Sequence, residues 1–378
     1  MKTQFLSVSR CYRILFIVLL GVLAHSAAAA PTVYLAGDST VMTNGANTYP
    51  QQGWGGRIRD LFTTGVTFSN RAVGGRSSKS FVDEGRLAAI LTVIKPGDYL
   101  FVQFGHNDVY SDPRLYTDPF TSYKTYMAMY IDLSRQYGAI PVLVTPVGKR
   151  RYDSSGKFIN DFVDRSAALK QLAAEKNCAL IDLNAKSIAF YNGVGVPATT
   201  DVFNWLAAGQ YPNFPYGVSD SVHFQEYGAG QIARLVVQGI EENNLGLRAF
   251  IGAVAYPAEA GILTGTGTVR ERRNAGWQGR GYVNFPATGG AMTLNSVIGK
   301  NGGSRTLRIR YANGSAYSRS GQLVVNGTTF SIRFNPSGSW STWTTMDVTV
   351  ALRSGTANSI SLKSVGGDLA NIDGITVF

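Results

Sequence analysis

The chain has 378 residues, 44% hydrophobic and 16% charged, with 43 glycines and two cysteines. That length suits two or three ordinary domains, and that composition supports a buried core and excludes a disordered chain. A formal charge of +11 favours an acidic partner, while two cysteines are too few for a disulfide framework or a cysteine-rich metal site.

Residues 1–30 read as a secretory signal. Lys2, Arg10 and Arg13 form the cationic start, Ile14 to Leu23 the apolar stretch, and Ala27 to Ala30 the small-residue cleavage zone. The apolar stretch is too short to span a bilayer comfortably, and no later run is long and apolar enough. The expected product is secreted, extracellular or periplasmic, and free of membrane. Losing the signal removes Cys11 and His25, so Cys178 is left single, at the head of an apolar run that makes it a core residue. It also leaves 32 basic against 24 acidic side chains, about +8. No basic run or amphipathic basic helix points to nucleic acid or a membrane surface, which leaves an acidic polysaccharide as the candidate partner. A solvated basic surface with no partner is the alternative.

From residue 31 to 248, apolar β-type runs alternate with segments of helical spacing. The runs are Val33–Ala36, Val66–Ser69, Tyr99–Phe104, Pro141–Thr145 and Ala179–Leu183, and the helical segments are Trp54–Phe62, Val82–Ile94, Thr121–Tyr137, Asp161–Lys176 and Tyr227–Glu241. Five runs with helical crossovers predict an α/β fold, a three-layer α/β/α sandwich around a five-stranded parallel sheet. Residues 249–254 read as a linker. Beyond it helical periodicity gives way to alternation, as in Leu307, Ile309 and Tyr311 against Arg308 and Arg310. Asn326-Gly327 supplies a hairpin turn, so residues 255–378 are expected to form an antiparallel β-sandwich.

Ser39 follows the first strand in Ala36-Gly37-Asp38-Ser39-Thr40, and reactive groups in open α/β sheets gather past the carboxyl ends of strands. Without the signal only His106 and His223 can act as bases near neutral pH. Asp220 precedes His223 by three residues in a short loop, a spacing that lets the carboxylate accept the Nδ1 hydrogen and leaves Nε2 to take a proton from a serine. Asn107, in Phe104-Gly105-His106-Asn107-Asp108, would project an amide donor over the same sheet edge. Gly74-Gly75-Arg76-Ser77 would bring a backbone N–H close to a ligand.

These four stretches, in this order, resemble the four blocks of the SGNH (GDSL) hydrolase superfamily, whose fold is flavodoxin-like, and most closely its rhamnogalacturonan acetylesterase branch, carbohydrate esterase family 12. The resemblance spans about residues 31 to 245. It implies Ser39 as nucleophile, His223 as base then acid and Asp220 as its orienting partner. The oxyanion hole would be the N–H of Ser39, the N–H of Gly75 (or Gly74) and the side chain of Asn107, with His106 as structural support. The implied activity is a metal-free serine acetylesterase on pectin, with xylan or small acyl esters as the alternative substrates and a non-catalytic sugar-binding protein as the alternative class. Arg76 could bind a galacturonate carboxylate or simply sit on the surface.

Residues 254–378 resemble carbohydrate-binding modules of families 35 and 6 through Ala258-Glu259-Ala260, Gly281 to Phe285, Gly338 to Trp343 and Asn371 to Ile375. Trp277, Trp340 and Asn371 are the candidate sugar-binding residues, each tryptophan having a core alternative. The resemblance also implies a structural calcium held by Glu259 and Asp373, although Pro257 stands where a second acid is expected.

Overall fold

The computed structural model describes residues 30–286 and 289–378. The stretch read as a signal lies outside them apart from its last residue. Strands β1 (Thr32–Gly37), β2 (Gln51–Gln52), β3 (Thr67–Asn70), β4 (Tyr99–Gln103), β5 (Ile140–Val144) and β6 (Ala179–Ile181) open the chain. All but β2 form one parallel sheet in the order β3-β1-β4-β5-β6. β1 and β4 are buried on both faces, as continuous apolar runs in a parallel sheet require.

The helical segments differ in detail from expectation. Trp54–Phe62 is two short 3-10 turns. Val82–Ile94 is two helices, α1 (Ser78–Asp83) and α2 (Arg86–Leu91), broken at Gly85. Next come α3 (Lys124–Gln136), α4 (Val163–Glu175) and α5 (Leu183–Ala198), so Leu183 opens a helix rather than ending a strand. A hairpin that the sequence reading did not anticipate, β7 (Phe203–Leu206) and β8 (Val218–Gln225), pairs with β2 in a small second sheet. β8 runs straight into α6 (Glu226–Glu242).

Residues 31–378 form one compact unit. The stretch read as a linker is packed: Phe250 O accepts the Thr63 N–H at 2.8 Å, and Ile251 bridges to Phe62. β9 (Val254–Pro257) already belongs to the sandwich. That sandwich has β10 (Ile262–Thr264), β11 (Val269–Glu271), β12 (Tyr282–Asn284), β13 (Ala291–Leu294), β14 (Gly303–Ala312), β15 (Arg319–Val325), β16 (Thr328–Phe334), β17 (Thr344–Leu352), β18 (Ile360–Ser364) and β19 (Asn371–Val377). Its antiparallel sheets run β10-β13-β18-β15-β16 and β11-β12-β19-β14-β17, with β9 added beside β19. Leu307, Ile309 and Tyr311 point into the core and Asn326-Gly327 turns the β15–β16 hairpin, as their alternation requires. Among the described residues no helix is long and apolar enough to cross a membrane.

One contact fixes where α6 begins. A Cβ on Gly228 would lie 1.9 Å from Val202 O, so the first turn of α6 packs directly on the backbone leading into β7. Gly228→Ala must push α6 away from the backbone leading into β7; chemical denaturation should show a loss on the order of 2–4 kcal/mol.

Candidate active site

Ser39 sits in a turn that its neighbours hold shut. Asp38, fully buried, accepts from Thr40 N (2.9 Å) and Thr40 Oγ1 (2.7 Å). Thr40 Oγ1 in turn accepts from Gln103 Nε2 (2.7 Å), whose Oε1 takes the indole N–H of buried Trp54 (2.9 Å). This chain of buried polar groups ties the turn to the end of β4. His106 is also buried, stacked on Phe162 with its Nδ1 3.4 Å from Asp38 Oδ2. It lies behind the turn. Burial works to raise the Asp38 carboxyl, but the charge and proximity of His106 and the Thr40 hydrogen bonds outweigh it and hold the group below the usual carboxylate range.

β8 presents the other half of the site. Its register against β7 jumps between Phe203 and Trp205: Phe203 faces Phe224, yet Trp205 faces Ser219. Residues 220–223 therefore bulge out of the ladder rather than forming the free loop expected from sequence. Asp220 Oδ1 closes the bulge by accepting the N–H groups of Val222 (2.7 Å) and His223 (3.0 Å), and Arg150 N–H anchors it through Ser221 O at 2.8 Å. Asp220 Oδ2 lies 2.6 Å from His223 Nδ1, and His223 Nε2 lies 2.9 Å from Ser39 Oγ. Hydroxyl, imidazole and carboxylate form a continuous line through which a proton can pass.

The electrostatics match that line. Burial alone would raise Asp220 and lower His223. The hydrogen bond and charge each supplies to the other win, so Asp220 is held below its ordinary value and His223 above it, with Asp38 adding to the latter.

The glycine loop packs against Ser39, since a Cβ on Gly74 would stand 3.5 Å from Ser39 Cβ. Gly74 N–H points at Met42 Sδ (3.3 Å). Among the described residues the N–H groups of Ser39 and Gly75 meet no acceptor. Gly75 has φ +77° and open space at its Cβ position, and of the glycine pair it is the one whose N–H is not bonded. Asn107 Nδ2 donates to Arg76 O at 3.1 Å, beside the Gly75–Arg76 peptide, and keeps a second amide hydrogen. Arg76 itself is committed to Glu84 (3.1 Å) and Gly74 O (2.9 Å) and acts as a loop staple.

Asp108, which the sequence reading left without a role, joins the two loops. It accepts from Ser78 N, Ser78 Oγ and Thr117 Oγ1, and burial pushes it up to about 6 despite those bonds. Only its position beside Asn107 could have drawn attention to it.

The sandwich residues are less concentrated. Trp277 is half-buried in the β11–β12 loop, Trp340 is half-buried beneath the Arg319 guanidinium (4.7 Å), and no ring contact joins them. Asn371 is buried at the start of β19, paired with Ala312. A third tryptophan outside the sequence set, Trp343, packs on Tyr282 (centroids 5.4 Å apart) and donates to Ala275 O in the Trp277 loop. Asp373 pairs with Arg310 and accepts Gln278 N–H (2.9 Å); Glu259 Oε1 accepts Arg280 N–H (2.8 Å), and its Oε2 is buried without a partner. A calcium ion needs six to eight oxygens. Among the described residues no cluster of three acidic, His or Cys side chains exists, and an arginine already occupies Asp373.

The profile of the GDSL-like Lipase/Acylhydrolase family matches residues 35–230, and the chain belongs to that family. It is 47% identical over 216 residues to the probable rhamnogalacturonan acetylesterase YesY of Bacillus subtilis (strain 168), covering 57% of this chain and 94% of that protein. To the rhamnogalacturonan acetylesterase RhgT of the same organism it is 42% identical over 216 residues, covering 57% and 92%. At the other end, a profile described as an alpha-galactosidase CBM13 domain matches residues 291–377. The solved structure of a family 35 carbohydrate binding module from Clostridium thermocellum aligns at 33% identity with TM-score 0.32, covering 34% of this chain and 98% of that one.

The His223–Asp220 pair stabilises the fold between two limits. The raised His223 contributes fully below its unfolded value of about 6.5 and less as pH rises through its folded pKa; the depressed Asp220 contributes above about 3.9 and less as pH falls through its folded pKa. Proton NMR titration should therefore find His223 titrating above about 6.5, and Asp220→Asn should move it downward.

Proposed function

We propose that this protein is an exported serine esterase that removes acetyl groups from a pectic polysaccharide, with rhamnogalacturonan as its substrate. The observation that carries the reading is the unbroken line from Ser39 Oγ to Asp220 Oδ2, at 2.9 and 2.6 Å. The acetyl-rhamnogalacturonan assignment is supported by the two relatives named for that activity, whose lengths the chain spans almost entirely.

His223 Nε2 takes the Ser39 proton as Oγ attacks the acetyl carbonyl. The negative oxygen that develops is met by the N–H groups of Ser39 and Gly75 and by the Asn107 amide. Asp220 holds the Nδ1–H tautomer and stabilises the imidazolium. His223 then protonates the departing sugar hydroxyl, and water, deprotonated by the same nitrogen, releases acetate from Ser39. The C-terminal module keeps the enzyme on wall polysaccharide, and the signal at residues 1–30 directs its export.

Acetate release from acetylated rhamnogalacturonan, xylan and mannan tests the substrate: the first should be preferred, and equal rates on all three would refute the pectin assignment. Ser39→Ala should abolish hydrolysis of an activated acetyl ester, and wild-type rates from that variant would remove the enzyme claim. Asn107→Ala should lower kcat by about 100- to 1,000-fold with little change in KM.

A further inference from the structure

Arg234 is the most exposed contradiction in the fold, because it is a buried charge with nothing to bind. It lies in the middle of α6 and is 6% exposed. Its Nε and Nη1 have no hydrogen-bond partner, and no carboxylate among the described residues comes within ion-pair reach of it. Its one described contact is stacking over the Tyr256 ring at 4.8 Å. Burial pushes the guanidinium below its ordinary value, and the nearby Glu259, Tyr227 and Tyr256 oppose this only in part. Leaving a charge unpaired in such a place is costly unless something supplies the opposite sign.

Arg234 lines a cavity of about 360 Å³ where α5 and α6 meet β9, β10 and β13. That size falls within the range of small-molecule sites. Phe190, Leu235 and Ile262 give it apolar walls, while Asn295, Thr293 and Lys186 bring polar groups. Lys186 is neutralised by Glu242 at 2.6 Å, so Arg234 is the uncompensated cation of the cavity. Apolar walls suit the face of a sugar ring, amide and hydroxyl groups suit its hydroxyls, and a lone guanidinium suits one carboxylate.

We propose that this cavity is a binding site for a uronic acid, its carboxylate paired with Arg234 and its ring held between the catalytic domain and the sandwich. The site is separate from Ser39 and does not depend on the esterase reading. Its lining comes from both parts of the chain, so occupancy ties them together.

Isothermal titration of the full-length protein with galacturonate, galactose and acetate tests it. Galacturonate should give a saturable single-site heat, and galactose and acetate should each bind at least tenfold more weakly. Arg234→Met, which removes the unpaired charge, and Ala189→Trp, which puts a bulky ring into the cavity lining from α5, should each lose galacturonate binding while still cleaving a small acetyl ester. Ser39→Ala should bind galacturonate as the wild type does. Absence of saturable binding, unchanged binding by Arg234→Met, or equal binding of acetate or galactose would each overturn the proposal.

Discussion

The hydrogen bond between Ser39 Oγ and His223 Nε2 joins residues 184 positions apart in the chain. Closing so long a loop for a single contact is unfavourable, so that contact exists only because each partner is already fixed by its own surroundings. On one side the Asp38–Thr40–Gln103–Trp54 network locks the Ser39 turn to β4. On the other, β8 bulges where its pairing with β7 slips, and Asp220 clamps the bulge through two backbone N–H groups. The Ser39 half stands at the end of the parallel sheet, and the Asp220–His223 half on the small antiparallel sheet of β2, β8 and β7. Every other feature of the site, including the glycine loop and Asn107, is arranged around the point where they meet.

The same logic explains the buried carboxylates near the site. Asp38 and Asp108 look alike in sequence, one in each of two short motifs, yet their settings differ. Asp38 faces His106 and stays below the usual carboxylate range, whereas burial outweighs the hydroxyl and amide bonds to Asp108 and the nearby Arg165 charge and pushes it up to about 6. Both work as braces: one closes the turn bearing Ser39, and the other holds the start of α1 to the loop bearing Asn107.

Much of this was legible in the sequence because it is local. β1 and β4 announce themselves as unbroken apolar runs, and the sandwich strands as alternation, since burial on both faces or on one face leaves those patterns. Asp220 and His223, three residues apart, could be read as a pair. What escaped depends on distant partners. Helix α5 ends in Gly193, Gly195 and Pro197, which blur its periodicity, and the β7–β8 hairpin has no compact turn to betray it. Glu259 and Asp373 could be read as cation ligands, but the groups that contact them, the Arg310 guanidinium from β14 and the Arg280 backbone N–H from the β11–β12 loop, come from positions no motif connects. Arg234 sits between apolar neighbours in the middle of α6, where its charge becomes informative only once the sandwich is seen to cover it.

The central claim is that Ser39 becomes covalently acylated. Rapid quenching of the wild-type protein during turnover of an acetyl ester, followed by mass spectrometry of the peptide containing Ser39, tests this most directly. The account predicts a single acetyl group on Ser39 that disappears as the substrate is exhausted. Sustained turnover with Ser39 unmodified, or with the acetyl group on a different side chain, would contradict it.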